Sequence, residues 1–333
     1  MKQKEIFLRA LSRQSVPRPA TGSATSIATI DLMNKTGHFF PDVHTDAEKM
    51  AGLAGAGYTE LGFDNVMPLF SVCHESVALG CHADWGERNR MPDCRGGLYG
   101  IEDEAVIPKD LLNHPSCRTP VEALSILKKR YGDEIAVVGK VFGPWTLGYH
   151  IFGIEEFLIS TITNPDAVKR AMERLKEVSV VFAKAQIDAG ADAICLADHA
   201  TRDLCSPDAY REFLFEIHRE LSERIPCPVI LHICGDTSDR IDYIRQTGLD
   251  CFHYDSKVSA REARELAGNN LALMGGTSNF DIIRKGTPET ILEDVREKVE
   301  NNIDIIGPEC AVPLDAPYMN MKMLADEVKT YET

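Results

Sequence analysis

Short, nearly continuous apolar runs recur along the last two-thirds of the chain. They consist mostly of Val, Ile, Leu, Ala and Cys, as expected for parallel strands that are buried on both faces. The runs are IAVVGKVFG (135–143), ADAICLAD (191–198), PVILHICG (228–235), LDCFHYD (249–255), LALMGGTS (271–278) and IDIIGPECAV (303–312). We therefore predict one strand within each of these six segments.

Segments with the 3.6-residue period of an amphipathic helix lie between the runs. Three of them open with a cap residue and a proline, at Asn164-Pro165, Ser206-Pro207 and Thr287-Pro288. With two further candidate strands at 23–30 and 62–70, the pattern predicts a closed (β/α)8 (TIM) barrel. An open, doubly wound sheet is the alternative, but no Gly-x-Gly-x-x-Gly follows the first strands.

The remaining segments fit the same domain. The opening MKQKEIFLRALSRQ mixes charged and apolar positions and predicts an N-terminal helical extension. The segment from about 71 to 119 is irregular and rich in Gly, Pro, Cys and charge, and we interpret it as an elaborated barrel rim. No repeat or linker divides the chain, so residues 1–333 are predicted to form a single domain.

The charge of the chain restricts its partners. The formal net charge is −15, from 36 Lys and Arg against 51 Asp and Glu. A chain of this charge is repelled by nucleic acid and by anionic membranes, so neither is an expected partner. No segment approaches the roughly 20 apolar residues of a membrane span, and the N-terminus lacks the features of a secretory signal. We expect a cytoplasmic protein.

Histidine and cysteine supply the candidate chemistry. The ten cysteines have no regular spacing, which argues against a disulfide framework. His232 and Cys234 are two apart in one predicted strand and should face the same side, and Cys310 lies in the last run. Barrel enzymes keep their active sites at the carboxyl ends of the strands, and one His with two Cys suits zinc with an open fourth position. Packing in the core remains the alternative for all three.

A family pattern occurs in LHICGDTSDRIDYIRQTGLD (231–250), MGGTSN (274–279) and IDIIGPECAVP (303–313). These segments resemble the uroporphyrinogen decarboxylase superfamily, and within it the methylcobamide:coenzyme M methyltransferases. The resemblance extends over nearly the whole chain, including KEIFLRAL (4–11) and AGADAICLAD (189–198). It implies that His232, Cys234 and Cys310 are the ligands of a zinc ion.

Other assignments fit the sequence less well. The arginine-rich segment of the decarboxylase branch is missing, since the chain reads SATSIATIDLMNKTG at 23–37. Val72 stands where an aspartate is expected after Leu-Phe-Ser. The zinc deaminase pattern and His-Glu-x-x-His are both absent. The decarboxylase, deaminase and protease activities are therefore not expected.

The resemblance implies methyl transfer from a methylated corrinoid to a small-molecule thiol, with coenzyme M as the first choice. The corrinoid is expected on a separate corrinoid protein, and zinc would favour the thiolate form of the acceptor. Asp198 and His199 are predicted to lie at the barrel mouth as catalytic residues, with a strand-end carboxylate that caps the next loop as the alternative. His253 and Asp255 are predicted to bind the corrinoid, and Glu309 is a candidate for the fourth zinc position.

Several alternatives stay open at this point. The acceptor could be tetrahydrofolate or another thiol such as homocysteine, and the chain could be an accessory protein that binds corrinoid or metal without turnover. Cys73, His74 and Cys81 in the rim suggest a second metal, but we expect them to be packing residues. The upstream source of the methyl group has no readable motif.

Overall fold

The computed structural model describes residues 1–103 and 105–332. The described strands are β1 (Ala20–Thr21), β2 (Asn65–Val66), β3 (His82–Asp84), β4 (Asp93–Arg95), β5 (Ala136–Phe142), β6 (Ala193–Ala197), β7 (Val229–His232), β8 (Cys251–Tyr254), β9 (Ala272–Thr277) and β10 (Ile305–Pro308). Eight of them form one parallel sheet in the order β1-β10-β9-β8-β7-β6-β5-β2, and β3 and β4 form a separate antiparallel hairpin. The predicted TIM barrel is confirmed.

Strands β5 to β10 each lie inside one of the six predicted apolar runs. Every residue of these strands is buried. Burial on both faces is the reason that the runs are continuous rather than alternating. The sequence prediction is therefore confirmed for this part of the barrel.

The predictions for the first two strands are wrong in extent. The chain is irregular over 23–29, and the strand lies earlier, at Ala20–Thr21. Only Asn65–Val66 of the predicted 62–70 segment is a strand. Both strands are too short to produce an apolar run, since each has only two residues.

Polar side chains complete the barrel between β1 and β2. The Asn65 side chain donates to the Ser23 carbonyl at 2.8 Å and accepts from the Ser23 amide at 3.1 Å. The Asp64 amide donates to the Thr21 carbonyl at 2.7 Å. Side-chain hydrogen bonds therefore do here what a longer backbone ladder does elsewhere in the sheet.

Helices surround the barrel and connect its strands. The described α-helices are α1 (Gln3–Leu11), α2 (Ile30–Thr36), α3 (Ala47–Thr59), α4 (His74–Ala78), α5 (Pro115–Tyr131), α6 (Pro144–Phe152), α7 (Ile154–Thr163), α8 (Pro165–Asp188), α9 (Pro207–Ala209), α10 (Phe215–Arg224), α11 (Ile241–Ile244), α12 (Ala260–Ala267), α13 (Pro288–Glu300) and α14 (Tyr318–Thr330). Short 3-10 turns lie at Asp42–His44 and Leu111–Asn113, and π-helical turns at Tyr210–Leu214 and Asn279–Arg284. None of the helices within the described ranges has the length and apolar character to cross a membrane.

The predicted helix starts agree with the structure. The side chains of Asn164, Ser206 and Thr287 each accept a hydrogen bond from the backbone amide three residues later. Proline follows each of them at the first helical position, where its missing N–H has no consequence. Helix α1 confirms the N-terminal extension, and one hydrophobic cluster runs from Ile6 to Val328, which favours a single domain.

The segment 71–119 forms the rim that the sequence predicted. It contains α4, the β3–β4 hairpin and the start of α5, and Glu104 within it lies outside the described residues. Met91 and Pro92, in the connection of the hairpin, line a cavity at the mouth of the barrel. The rim therefore contributes directly to the site described next.

Candidate metal centre

His232, Cys234 and Cys310 meet at the carboxyl ends of the barrel strands. One ligating atom from each lies within 4.8 Å of the other two. The His232 Nε2 and Cys310 Sγ atoms are 3.5 Å apart. Tetrahedral zinc with ordinary Zn–N and Zn–S bonds separates these two donor types by about 3.6 Å. The donor set and its spacing therefore fit zinc, and three protein ligands leave one position open for a substrate.

His232 is held with one ring nitrogen free. It is the last residue of β7, and its Nδ1 donates to the carbonyl of His253 on the adjacent strand at 3.3 Å. This bond places the proton on Nδ1 and leaves the Nε2 lone pair for a metal. The His253 ring packs against the His232 ring with centroids 4.5 Å apart, which restricts its rotation further.

Cys234 lies beside His232 in the same cavity, as predicted, but it lies beyond the end of β7, so strand alternation does not position it. Gly235 follows with a φ of 82°, in the left-handed region, and its amide donates to the Asp255 carboxylate at 2.9 Å. A Cβ atom on Gly235 would lie 2.3 Å from the Thr201 hydroxyl. A glycine turn anchored by Asp255 therefore positions Cys234.

Cys310 is positioned by the residue before it. The Glu309 carboxylate accepts from the Ser256 amide at 3.0 Å and from the Asn279 amide at 2.8 Å. Both oxygens are used in joining the loops after β8, β9 and β10. The possible metal ligands among the described residues do not include Glu309. The structure therefore does not bring Glu309 to the fourth zinc position, where the sequence analysis placed it.

Cys234 and Cys310 form an interacting thiol pair. The hydrogen bond from Cys234, assisted by His232, holds the pKa of Cys310 well below its ordinary value. The same hydrogen bond, together with burial, raises the pKa of Cys234 well above its ordinary value. The first thiolate forms readily and the second is opposed by its neighbour. A divalent cation held by both sulfur atoms would offset this repulsion, since zinc binds cysteine as the thiolate.

Asp198 and His199 both line the cavity beside the three metal-ligand candidates. Asp198 is fully buried and accepts from the Thr146 amide at 2.8 Å and from His218 Nε2 at 3.1 Å. These bonds fix the loop after β6. The His199 ring is partly buried and lies 3.3 Å from the Tyr149 hydroxyl, and burial lowers its pKa. Of these two residues, His199 is the one whose side chain is available to a ligand.

His253 and Asp255 lie outside the cavity lining and support it from behind. His253 is fully buried, and its Nε2 donates to the Pro308 carbonyl at 2.8 Å, two residues before Cys310. Asp255 accepts from Gly235, as described. Both residues therefore position metal-ligand candidates, and their binding of a corrinoid stays a prediction.

The cavity at the mouth has a volume of about 230 Å³. Its apolar walls include Phe70, Met91 and Phe142, and among the described residues Lys140 is its only lysine or arginine. Lys140 is not among the site residues predicted from the sequence. The available signal was a charged residue in the middle of the buried run AVVGKVF, where a strand covered on both faces excludes charge unless it has a role.

The rim cysteines do not form a second centre. His74 Nδ1 bonds to the Ser116 carbonyl at 2.9 Å, and both Cys73 and Cys81 are buried. No other group of three possible metal ligands occurs in the part of the chain that the structure describes. Burial of the cysteines and the backbone bond of His74 favour a packing role for these residues, which stays a prediction.

The chain is similar in sequence and in structure to known methyltransferases. The profile of the uroporphyrinogen decarboxylase (URO-D) family matches residues 2–331. A methylated-thiol–coenzyme M methyltransferase of Methanosarcina mazei is 33% identical over 295 residues, covering 88% of this chain and 80% of that protein. The methylcobamide:CoM methyltransferase MtaA of Methanosarcina barkeri is 29% identical over 96% of both chains. A solved structure of a methyltransferase from Methanosarcina mazei superposes with a TM-score of 0.97 at 28% identity, with full coverage of both chains.

Proposed function

The chain belongs to the uroporphyrinogen decarboxylase family, and from this premise we propose that it is a zinc-dependent methyltransferase that moves a methyl group from a methylated corrinoid to coenzyme M. The observation that carries the proposal is the trio of His232, Cys234 and Cys310 at the barrel mouth. Its relatives named as methyltransferases support the reaction class. The decarboxylase reaction is disfavoured because the cavity has one cationic side chain, Lys140, for a substrate with many carboxylates.

The reaction forms a carbon–sulfur bond and breaks a carbon–cobalt bond. The acceptor thiol loses its proton to solvent, its sulfur takes the methyl group, and the electron pair of the carbon–cobalt bond stays on cobalt as cob(I)amide. A thiol with a pKa near 8.5 is mostly protonated at neutral pH and is then a poor nucleophile. Zinc held by His232, Cys234 and Cys310 would supply the positive charge that favours the thiolate.

The residues of the chain orient the acceptor and exclude water. The hydrogen bonds of His232 to His253, and of Glu309 to two loop amides, fix the ligand geometry before any substrate arrives. The apolar walls of the cavity keep the nucleophile poorly solvated. His199, whose ring lines the cavity, is proposed to contact the methyl donor, with Asp198 holding the His199 loop in place.

The size of the cavity supports a division between the two substrates. Pockets that enclose drug-sized ligands have volumes of about 300–1,000 Å³. A volume of about 230 Å³ suits a small thiol and is too small for a corrin ring. We therefore propose that the corrinoid stays at the mouth, carried by a separate corrinoid protein. The same argument favours a small thiol over tetrahydrofolate.

The test combines metal analysis with methyl transfer from methylcobalamin. Wild type, Cys310→Ala and Cys227→Ala are compared, because Cys227 is also partly buried but lies before β7, at the opposite end of the barrel. We expect one zinc per chain and cob(I)alamin formation with coenzyme M in wild type and Cys227→Ala, and neither in Cys310→Ala. Cobalt(II) substitution adds a readout without turnover, since two thiolate ligands give intense sulfur-to-cobalt charge-transfer bands.

Each contrary outcome has a definite meaning. Zinc with turnover only on tetrahydrofolate or homocysteine would replace the acceptor and keep the centre. Zinc without turnover on any acceptor would favour an accessory protein. A wild-type chain without zinc after metal-replete preparation would refute the proposal.

A further inference from the structure

Lys140 is a buried cation in the middle of β5. Its side chain points into the barrel, and the residue is 5% exposed. The Nζ atom donates to the carbonyl of Leu69 at 2.6 Å and to that of Ser71 at 3.3 Å. Among the described residues, no carboxylate oxygen lies within 4.0 Å of Lys140 Nζ, the distance limit for an ion pair. The Nζ atom also lies over the Phe142 ring, 5.3 Å from its centroid, so the contacts of the ammonium are with neutral groups.

A buried cation without a counter-charge is costly, because an ammonium loses its hydration on leaving water. The nearby acid is Glu75, whose carboxylate accepts from the Phe142 amide at 2.8 Å and does not reach Lys140. Burial raises the pKa of Glu75 to about 7, so this group is protonated in a large share of molecules at neutral pH. Among the described residues, Lys140 therefore has no carboxylate partner at ion-pair distance in the free enzyme.

The location of Lys140 suggests where that partner comes from. Lys140 lines the same cavity as His232 and Cys310. Zinc held by two thiolates and a neutral imidazole would have no net charge, so it would provide no counter-ion for Lys140. The cavity walls between Lys140 and these metal-ligand candidates are largely apolar. A small molecule in this cavity meets a thiolate-stabilising centre and one isolated cation.

We propose that Lys140 binds the anionic end of the acceptor, so that the site selects small thiols that carry a sulfonate or carboxylate a short alkyl chain away from the sulfur. This inference rests on the proposed function and names the acceptor class that it requires. The sulfonate of coenzyme M belongs to this class. A thiol without the anion fills the cavity but leaves the ammonium unpaired.

The first experiment compares Lys140→Met with wild type on 2-mercaptoethanesulfonate and on uncharged 2-mercaptoethanol, with methylcobalamin as donor. Loss of a charge-assisted hydrogen bond should lower kcat/KM for the sulfonate by about 10- to 100-fold. The value for 2-mercaptoethanol should be unchanged. Lys184→Met, on the exposed face of α8, is the matched control and should leave both values unchanged.

A comparison of 2-mercaptoethanesulfonate with 3-mercaptopropionate identifies the anion. A wild-type preference for either one that disappears in Lys140→Met supports the proposal and names the group. An equal loss for charged and uncharged thiols would overturn it, because that result indicates a structural role. If Lys140→Met melts well below wild type, Lys140→Gln takes its place in the comparison.

A binding measurement separates this inference from the proposed reaction. Ethanesulfonate has the anion but no thiol, so its binding to the zinc-loaded protein by calorimetry does not depend on methyl transfer. Wild type is expected to bind it and Lys140→Met is expected not to. Binding of ethanesulfonate by wild type, without turnover on any thiol, would refute the proposed function but support the anion site. Equal binding by wild type and Lys140→Met would refute only the proposal that Lys140 binds the anion.

Discussion

Glu75 is predicted to make the stability of this protein fall as the pH rises. Its side chain is fully buried on α4, and burial raises its pKa from 4.5 to about 7. One oxygen accepts from the Phe142 amide, and the other has no hydrogen-bond partner. Between pH 4.5 and 7 the folded chain keeps a proton on this group that the unfolded chain has released. The folded state therefore loses stability as the pH rises through this window.

The magnitude follows from the two pKa values. At about 1.4 kcal/mol for each pH unit between 4.5 and about 7, the penalty reaches roughly 3 kcal/mol near pH 8. Glu75→Gln cannot ionise and still offers an oxygen to the Phe142 amide, so this penalty should be absent. The difference in unfolding free energy between variant and wild type should therefore move in favour of the variant by that amount between pH 4.5 and 8.

Urea unfolding at a series of pH values, followed by tryptophan fluorescence and circular dichroism, measures this difference. Glu223→Gln, at an exposed position on α10, is the matched control and should show no such trend. A constant difference between Glu75→Gln and wild type across the whole range would refute the reasoning. It would mean that the Glu75 carboxylate is ionised at little cost in the folded state.

Three further predictions concern the site and its support. His253→Leu removes the hydrogen bond to the Pro308 carbonyl and should weaken zinc binding about 10- to 100-fold in competition with a chromophoric chelator, whereas unchanged affinity would argue against a positioning role. Burial lowers the pKa of His150 to about 4, so the folded chain binds fewer protons than the unfolded chain below pH 6.5. Stability should fall by roughly 3 kcal/mol from pH 6.5 to 4, and His150→Gln should show a shallower decline in urea midpoints. Asp198→Asn places an amide N–H opposite a buried hydrogen-bond donor. The free energy of unfolding, measured in urea, should fall by about 1–3 kcal/mol, and kcat should be lower. Unchanged stability would contradict this hydrogen-bond network.

The sequence predicted the barrel well where burial alone determines the structure. Strands β5 to β10 are covered on both faces, so their apolar runs mark them directly. Strand β1 was misplaced and β2 was predicted too long, because polar bonds between Asn65 and Ser23 close the barrel there and such bonds leave no periodic signal. The β3–β4 hairpin went unrecognised inside the rim for a related reason, since its residues are largely exposed or partly buried.

The candidate site was found by residue type, although strand alternation does not account for the position of Cys234. Cys234 was placed by strand alternation, yet β7 ends at His232 and the Gly235 turn determines where the thiol lies. The structural signals for this were the glycine itself and Asp255, which lie 20 residues apart in the chain and are joined by one hydrogen bond. Contacts between residues this far apart in the chain depend on the tertiary fold, so the sequence of one strand could not predict them.

The position of Cys310 shows why the ligand set depends on barrel closure. Strands β7 and β10 are separated in the sheet by β8 and β9, so no backbone pairing brings their ends together. His232 and Cys310 are 78 residues apart in the chain and nevertheless come within 3.5 Å, because the curved sheet turns both strand ends toward one axis. A ligand set that spans the mouth in this way exists only in the closed barrel. Lys140 lies on β5, two strands beyond β7 on the other side from β10, so in the proposed function different parts of the wall would hold the sulfur and the anion of the acceptor.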